Sequence, residues 1–233
     1  MINIEKLIER SKQIGFPITT ETAEKLDVYA QMLVEANKTT NLTRIETPDD
    51  MSEKHFVDCL YACKHIEKGS SVADVGCGAG FPGMVIAIVC EAHVTFVDSI
   101  AKKLAFIEAV CEKMNISADI VNERAEIIGR KEEYRERYDY VTARAVARLN
   151  TLMEYCVPLV KPNGKFIAMK GRDSDIELEE ANNALSILNC NVEKQEKYVI
   201  NEEEQRSIIV VAKRESTSQE YPRNTKKIAK YPL

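Results

Sequence analysis

Tryptophan is absent from this 233-residue sequence, and there are only three histidines. Long apolar runs are also missing: the longest, Met84–Cys90, is far shorter than the roughly 18–20 residues that a membrane-spanning helix needs. Residues 1–6 lack the basic and then apolar pattern of a secretion signal. These absences predict a cytoplasmic protein without a membrane segment.

Paired cysteine motifs are missing too: there are seven cysteines, an odd number, and no two of them form a Cys-x-x-Cys. Since they are scattered through apolar stretches, we interpret them as reduced, buried thiols. His55, Cys59 and Cys63 are spaced by four residues and would share one helix face, as metal ligands do. A structural zinc site normally has four such ligands, and no fourth is evident. Packing is therefore the favoured interpretation, and we predict no metal.

The net charge is −5, which by itself argues against a nucleic-acid-binding protein. The basic residues are nevertheless concentrated: residues 142–172 hold six Lys and Arg against one Glu, and residues 213–233 hold six against two acidic residues. Between them, residues 173–204 hold ten acidic residues and two Lys. This distribution predicts that the basic stretches contact a polyanion while the acidic segment faces water. Ordinary solvated surface is the alternative.

Helical periodicity marks the first part of the chain, and alternating strands and helices follow from Ser71. Helices are predicted from Ile4 to Ile14, from a cap at Thr20, and after Pro48. Short apolar segments then predict seven strands: Val72–Val75, Val94–Val97, Ala118–Val121, Tyr138–Thr142, Lys165–Lys170, Val192–Tyr198 and Ile208–Ala212. The pattern predicts an α/β, Rossmann-like fold whose mostly parallel seven-stranded sheet has helices on both faces. The last two strands should form a hairpin that adds one antiparallel edge strand.

The strongest local signal is a glycine loop, Asp74-Val75-Gly76-Cys77-Gly78-Ala79-Gly80-Phe81-Pro82-Gly83, at the first strand-to-helix junction. Its last three glycines match the dinucleotide pattern, which seats a pyrophosphate on a helix N-terminus. Counted from Asp74, the loop instead has the acidic-x-Gly-x-Gly-x-Gly pattern of S-adenosylmethionine-binding proteins. A carboxylate attracts the ammonium and sulfonium of that donor and repels pyrophosphate, and Pro82 has no N–H for a phosphate. Asp98, ending the second strand, suits a ribose in either case. We favour the methyl donor over the dinucleotide.

Further motifs occur in order around this loop, from about Asn37 to Arg223. Together they resemble the small-subunit ribosomal RNA methyltransferase G family, also called glucose-inhibited division protein B: Asn41-Leu42-Thr43, His55-Phe56-Val57-Asp58-Cys59-Leu60, the glycine loop, Val97-Asp98-Ser99, Arg144-Ala145-Val146-Ala147, Lys170-Gly171 and Tyr221-Pro222-Arg223. The Phe-Pro-Gly end of the glycine loop, with the upstream Asn-Leu-Thr, is more specific than a generic methyltransferase motif.

The resemblance implies a class I methyltransferase that uses S-adenosylmethionine to methylate N7 of one guanine in 16S rRNA. Its partner would be 16S rRNA or the 30S subunit, with no obligate protein partner inferred. The change of pattern at Gly69-Ser70 and the polar residues after Arg214 predict an N-terminal helical extension (residues 1–68), a donor-binding core (69–214) and a basic tail (215–233), which we expect to be mobile. Residues 224–233 depart from the Gly/Pro-bearing basic run often found in the family.

Candidate site residues follow from the loop and from the resemblance, which puts Asp98 at the donor ribose. The donor-binding candidates are Asp74, Gly76, Gly78, Gly80, Phe81, Asp98, Ala125, Glu126 and Arg144. The candidates for catalysis are Arg144, Asn41 and Lys170. The candidates for RNA contact are His55, Arg148, Lys170, Arg172 and Arg223. For Asn41 and His55 the alternative is a structural role, in which they cap the helical extension or tie it to the core. For Arg148 and Arg172 the alternative is an ordinary surface position without a function.

Methylation of guanine N7 removes no proton, because N7 carries an exposed lone pair. The site therefore needs no general base and has mainly to place N7 in line with the sulfonium methyl group. Three alternatives stay open: an NAD(P)-binding oxidoreductase, a non-catalytic RNA-binding regulator, and a methyltransferase acting on a small molecule or protein.

Overall fold

The computed structural model describes residues 2–45, 47–201 and 203–233 and contains a seven-stranded sheet of order β3-β2-β1-β4-β5-β7-β6. The strands are β1 Ser71–Val75, β2 His93–Val97, β3 Ala118–Val121, β4 Tyr138–Arg144, β5 Val160–Lys170, β6 Cys190–Ile200 and β7 Glu204–Lys213. The first five strands are parallel to one another, and central β1 pairs with β2 and β4. The seven predicted strands and the mostly parallel sheet are thereby confirmed.

The position of the antiparallel strand was predicted wrongly. β7 is antiparallel to both neighbours and lies between β5 and β6, so it is not the edge strand. The physical reason is burial: Ile208–Ala212 is a continuous apolar run with every residue buried, which suits an interior position. β6 carries charged residues at Glu193, Lys194 and Glu196, which suit the exposed edge.

The three helices predicted before Ser71 are present, and further helices follow the strands. They are α1 Ile4–Gln13, α2 Thr20–Thr40, α3 Pro48–Met51, α4 Asp58–Cys63, α5 Gly83–Val89, α6 Ala101–Met114, α7 Ala125–Ile128, α8 Leu149–Cys156, α9 Ser174–Glu180, α10 Asn182–Ile187 and α11 Thr225–Lys230. A π-helical turn, Ser52–Val57, joins α3 to α4. The cap of α2 is Thr19 rather than Thr20, because the Thr19 side chain accepts from the Thr22 N–H.

The sheet separates two hydrophobic clusters. Helices α1, α2, α4, α5 and α6 share one cluster with one sheet face, and α7, α8 and α10 pack on the other. Along β1, Val72 belongs to the first cluster and Ala73 and Val75 to the second. The helices that precede β1 are thus packed into the same core as the sheet.

The residues after β7 are folded back onto the core, contrary to the expected mobile tail. Pro222, Ile228 and Leu233 are buried, and Arg223 forms an ion pair with buried Glu154 of α8. The Arg135 guanidinium donates to the backbone carbonyls of Thr217 and Tyr221. These contacts hold residues 215–233 in one place.

The seven cysteines are free thiols, six of them buried and Cys190 half-buried. Within residues 2–45, 47–201 and 203–233, no three His, Cys, Asp or Glu side chains are grouped so that they could hold a metal ion. Over the same residues, no helix combines the length and apolar character needed to cross a membrane.

Candidate functional site

The first two residues of the glycine loop belong to β1, and its residues 76–83 leave the carboxyl end of that strand. At this point the strand order reverses between β1 and β4. Ligands of open α/β sheets bind at such a switch point. Asp98 follows β2 and Arg144 ends β4, so both lie at the same sheet edge as the loop. The fold therefore brings together the predicted loop, Asp98 and Arg144.

Two loop glycines are required by their surroundings as well as by their backbone angles. Gly76 and Gly80 have φ values of 67° and 101°, which are costly for other residues. A Cβ on Gly76 would lie 2.5 Å from a Val146 methyl carbon, and one on Gly80 would lie 2.9 Å from the Tyr29 hydroxyl. Side chains at these positions would push the loop away from its supports.

Asp74 is in β1, beneath residues 76–83 of the loop. It lines neither of the two cavities at this sheet edge that are described below. Its carboxylate is fully buried and accepts from the Gly83 N–H (2.8 Å) and the Thr142 hydroxyl (3.0 Å). Burial raises the pKa of Asp74 to about 6. The structure therefore does not support direct contact between Asp74 and a cationic ligand; the carboxylate fixes the start of α5 instead.

The N–H groups in the second half of the loop are used within the protein. Those of Gly80 and Phe81 donate to the Cys77 carbonyl, and that of Gly83 donates to Asp74. Pro82 has no N–H to offer. A pyrophosphate seated at this helix N-terminus would have to displace existing hydrogen bonds.

A small cavity of about 140 Å³ opens between the ends of β1, β2 and β3. Four of the predicted donor residues line it, namely Gly76, Asp98, Ala125 and Glu126. The Asp98 carboxylate is nearly buried and accepts from the Gly78 N–H (3.0 Å) and the Ile100 N–H (2.9 Å). Three carboxylates, of Asp98, Glu123 and Glu126, and one guanidinium, of Arg124, line this cavity, so its balance of charge is acidic.

A large cavity of about 490 Å³ lies on the other side of β4. Its lining mixes both signs of charge: Lys54, Asp58, Arg144, Lys170, Glu177, Glu204 and Arg206. The loop after β4 separates the two cavities, with Ala145 on the large one and Val146 on the small one. Ala145 has φ 57°, a strained angle for alanine, and this turn sends neighbouring side chains to different cavities.

Arg144 joins the helices before β1 to the glycine loop. Its guanidinium donates to the Lys54 carbonyl (3.2 Å), to the Asp58 carboxylate (3.1 Å) and to His55 Nδ1 (3.0 Å). It also lies 5.0 Å from the ring centroid of Phe81. Much of its hydrogen-bonding capacity is thus used internally, although it lines the large cavity.

His55 packs flat on Phe81, with ring centroids 4.1 Å apart and planes 9° apart. Its Nε2 lies 3.0 Å from the Thr43 hydroxyl, and its Nδ1 accepts from Arg144. Burial and the Arg144 charge lower the pKa of His55 to about 3. The structure therefore places this RNA candidate in the support of the loop, as a neutral imidazole.

The remaining candidates separate by position. Lys170 is buried at the large cavity, where its ammonium donates to the Ala147 carbonyl (2.6 Å) and pairs with Glu177 (2.7 Å). Arg172 is highly exposed beside that cavity, close to Asp173. Among the candidates for catalysis or RNA contact, Asn41, Arg148 and Arg223 line neither the small nor the large cavity.

Each of these three has a local partner or role that explains its position. Asn41 ends α2 in the left-handed conformation, with φ 50°, which asparagine tolerates better than most residues. Arg148 pairs with Glu180 (2.7 Å), and Arg223 pairs with Glu154 (2.7 Å). The part of the Asn-Leu-Thr motif that reaches the site is Thr43, through His55.

Sequence reasoning missed three residues around the loop. Val146 and Tyr155 line the small cavity, and the Tyr29 hydroxyl donates to the Ala79 carbonyl (2.6 Å). Tyr29 lies 50 residues before its partner, so no local spacing links the two.

Comparison with known proteins gives one family. A family model described as rRNA small subunit methyltransferase G matches residues 22–209. Among similar proteins, ribosomal RNA small subunit methyltransferase G of Caldicellulosiruptor bescii is 42% identical over 88% of this chain and 90% of its own. The protein of the same name from Bacillus velezensis is 38% identical over 100% of this chain and 99% of its own.

Solved structures agree in fold at low identity. P. horikoshii TYW2 in complex with MeSAdo has a TM-score of 0.54 and 11% identity, covering 66% of this chain and 61% of that one. An rRNA methylase from Streptococcus thermophilus has a TM-score of 0.51 and 13% identity, covering 67% and 94%. These likenesses confirm the Rossmann-like methyltransferase fold.

Proposed function

The chain belongs to the rRNA small subunit methyltransferase G family, and from that premise we propose that it transfers a methyl group from S-adenosylmethionine to N7 of a guanine in 16S rRNA. The observation that carries the choice of donor is the electrostatic character of the glycine loop and small cavity. Asp98 and Glu126 line that cavity, and the loop amides of Gly80, Phe81 and Gly83 are already bonded. The carboxylates repel a pyrophosphate and the bonded amides do not receive one, whereas S-adenosylmethionine has no phosphate.

The loop backbone fits a ligand of this kind. A Cβ built on Gly78 would have only the Gly76 carbonyl within 4 Å, at 3.9 Å, so glycine leaves open space next to Asp98. We assign the ribose hydroxyls to Asp98 and the adenine to the side of the cavity formed by Ala125 and Glu126. When bound, S-adenosylmethionine supplies an electrophilic methyl group on its sulfonium.

We assign the target base to the large cavity, across the Ala145 turn from the donor. The lone pair of N7 needs placement rather than deprotonation. His55, at the wall of this cavity, is neutral and has both ring nitrogens engaged, which agrees with chemistry that uses no imidazole base. Arg144 and Lys170 line this cavity, and each is already paired with a carboxylate, Asp58 and Glu177, so their part is to hold its wall.

Such a target must be accessible in the RNA. In paired A-form RNA the groove that carries N7 is too deep and narrow for side chains, so the guanine would lie in a loop or be turned out of its stack. We take the substrate to be 16S rRNA or the 30S subunit in the cytoplasm.

Quantifying 7-methylguanosine in 16S rRNA from cells with and without the gene tests this function. We expect one site to lose its methyl group in the absence of the gene and to regain it with the unaltered chain, but not with Asp98→Ala. Calorimetric titration with S-adenosylmethionine and with NADPH accompanies it. Tighter NADPH binding would favour an oxidoreductase, and donor binding without transfer to RNA would favour a regulator.

A further inference from the structure

The two basic stretches of the chain differ in how their charges are used. In residues 142–172, Arg148 pairs with Glu180 (2.7 Å), Lys165 with Glu193 (2.6 Å) and Lys170 with Glu177 (2.7 Å). The acidic segment thus neutralises this stretch instead of facing water alone, contrary to the sequence-based expectation. A polyanion would find little free positive charge there.

In the second stretch Lys213 and Arg223 are paired with Glu136 and Glu154, but among the residues that the structure describes the three lysines of α11 are not paired. Lys226, Lys227 and Lys230 of α11 are exposed, and within the described residues none forms an ion pair with a carboxylate. The Lys230 ammonium lies over the Tyr231 ring, 5.2 Å from its centroid, which leaves its charge intact. Three uncompensated lysines on six residues of a chain whose net charge is −5 form a local site of positive potential.

The helix that carries these lysines is fixed to the core next to the small cavity. Ile228 is fully buried, and the Asn224 side chain caps the helix by accepting from the Lys227 N–H. The Thr225 hydroxyl donates to Glu126, which lines the small cavity. The position of α11 is therefore tied to the site through one hydrogen bond and through the Arg223–Glu154 pair.

We propose that Lys226, Lys227 and Lys230, the α11 lysines, form the surface on which the phosphate backbone of the substrate RNA docks. This inference rests on the proposed function. Phosphate contacts fix the register of an RNA without reading its bases, and a helix anchored to the core keeps the backbone of the three lysines at a fixed place on the surface. Backbone docking on α11 would position the RNA strand that brings the target base to the large cavity.

The test compares two triple variants with the same change in charge. One replaces the α11 lysines by glutamine. The control replaces Lys12, Lys68 and Lys113, which are exposed on or near α1, β1 and the end of α6. For each we would measure affinity for 16S rRNA, affinity for S-adenosylmethionine and single-turnover methyl transfer. A third variant, with arginine at the three α11 positions, restores the charge.

We expect the α11 glutamine variant to bind RNA at least tenfold more weakly and to bind the donor within twofold of the unaltered chain. The slope of log affinity against log salt should fall by about two, given about 0.7 per phosphate contact on single strands. The arginine variant should restore RNA affinity. Equal losses in the α11 and control variants, or no loss in either, would overturn the docking surface.

The unaltered chain is assayed for methyl transfer in the same series, which separates the two proposals. Absence of transfer to any rRNA would contradict the proposed function. Transfer by the unaltered chain, with RNA affinity unchanged in the α11 glutamine variant, would overturn the docking surface alone.

Discussion

At the residue scale, Asp98 is the side chain through which the donor can be tested most directly. Its carboxylate already orders the loop through Gly78, and it faces the small cavity. We expect Asp98→Ala to weaken S-adenosylmethionine binding at least tenfold, because a lost hydrogen bond to a charged group costs about 1.5–3 kcal/mol. Calorimetric titration of folded protein measures this. Asp119→Ala, which removes an exposed carboxylate of β3, is the control. Equal affinities of the unaltered chain and the two variants would refute the site.

Arg144 tests how the site is held together. Lysine keeps the charge but cannot contact His55, Asp58 and the Lys54 carbonyl at once, because it lacks the planar fork. We therefore expect Arg144→Lys to lose most methyl transfer in single turnover on 30S subunits. The free energy of unfolding should fall by about 1–3 kcal/mol, since buried partners lose hydrogen bonds. A melting curve run alongside shows whether the variant is folded. Near-normal transfer by Arg144→Lys would contradict the assignment.

His55 predicts a pH dependence of stability. The folded pKa of about 3 lies below the ordinary value of 6.5, so between these values the unfolded chain binds a proton that the folded chain does not. The stabilisation is complete above pH 6.5 and decreases as the pH falls. At about pH 5 the loss from this group should be about 2 kcal/mol. Urea unfolding at pH 5 and pH 7.5 should show a smaller difference for His55→Gln than for the unaltered chain; parallel pH profiles would show that His55 is not neutral in the fold.

At the element scale, the strands and the position of the loop could be predicted because each has a local signature. Alternating short apolar segments and helices predict the sheet, and the glycine loop and Asp98 fall at the ends of its strands. The order of β6 and β7 could not be read, because a hairpin has the same local pattern whichever strand is outermost. The sequence left two roles open for Asn41 for a similar reason, because a residue that ends a helix and a residue that serves a site give the same motif.

Helix α2 supports the glycine loop through Tyr29, whose ring also packs on Phe81 with centroids 5.2 Å apart. We expect Tyr29→Phe to keep the ring packing and to leave the Ala79 carbonyl unpaired, which loosens the loop. Donor affinity should fall about threefold to tenfold, equivalent to the 0.5–1.5 kcal/mol of a typical hydrogen bond. Calorimetry again measures it, with Tyr61→Phe, a half-buried tyrosine of α4, as the control. An affinity unchanged in Tyr29→Phe would mean that α2 supports the fold but not the loop.

At the scale of the whole molecule, the buried pair of Arg223 and Glu154 ties the last residues to the core. Glu154 is fully buried, so Arg223→Met would leave an uncompensated charge and should lower the free energy of unfolding by about 3–5 kcal/mol. Arg148→Met breaks the exposed pair with Glu180 and should lower the free energy of unfolding far less, because solvent screens an exposed pair. Urea unfolding measures both. The double variant Arg223→Met/Glu154→Leu should recover much of the loss, and equal effects of the two single changes would contradict a structural role for Arg223.

The buried cysteines make local opening of the folded chain measurable, because their rates of alkylation depend on it. Alkylating reagents react with thiolates, and burial keeps the thiols both shielded and protonated, raising the pKa of Cys111 to about 11 and that of Cys190 to about 12. Modification of a buried thiol must therefore wait until its surroundings open. Cys77 lies inside the glycine loop and Cys156 in α8, so their labelling rates, read by mass spectrometry, time the opening of two separate parts of the chain. A ligand that restricts the opening of the glycine loop should slow the labelling of Cys77 and leave the labelling rate of Cys156 unchanged.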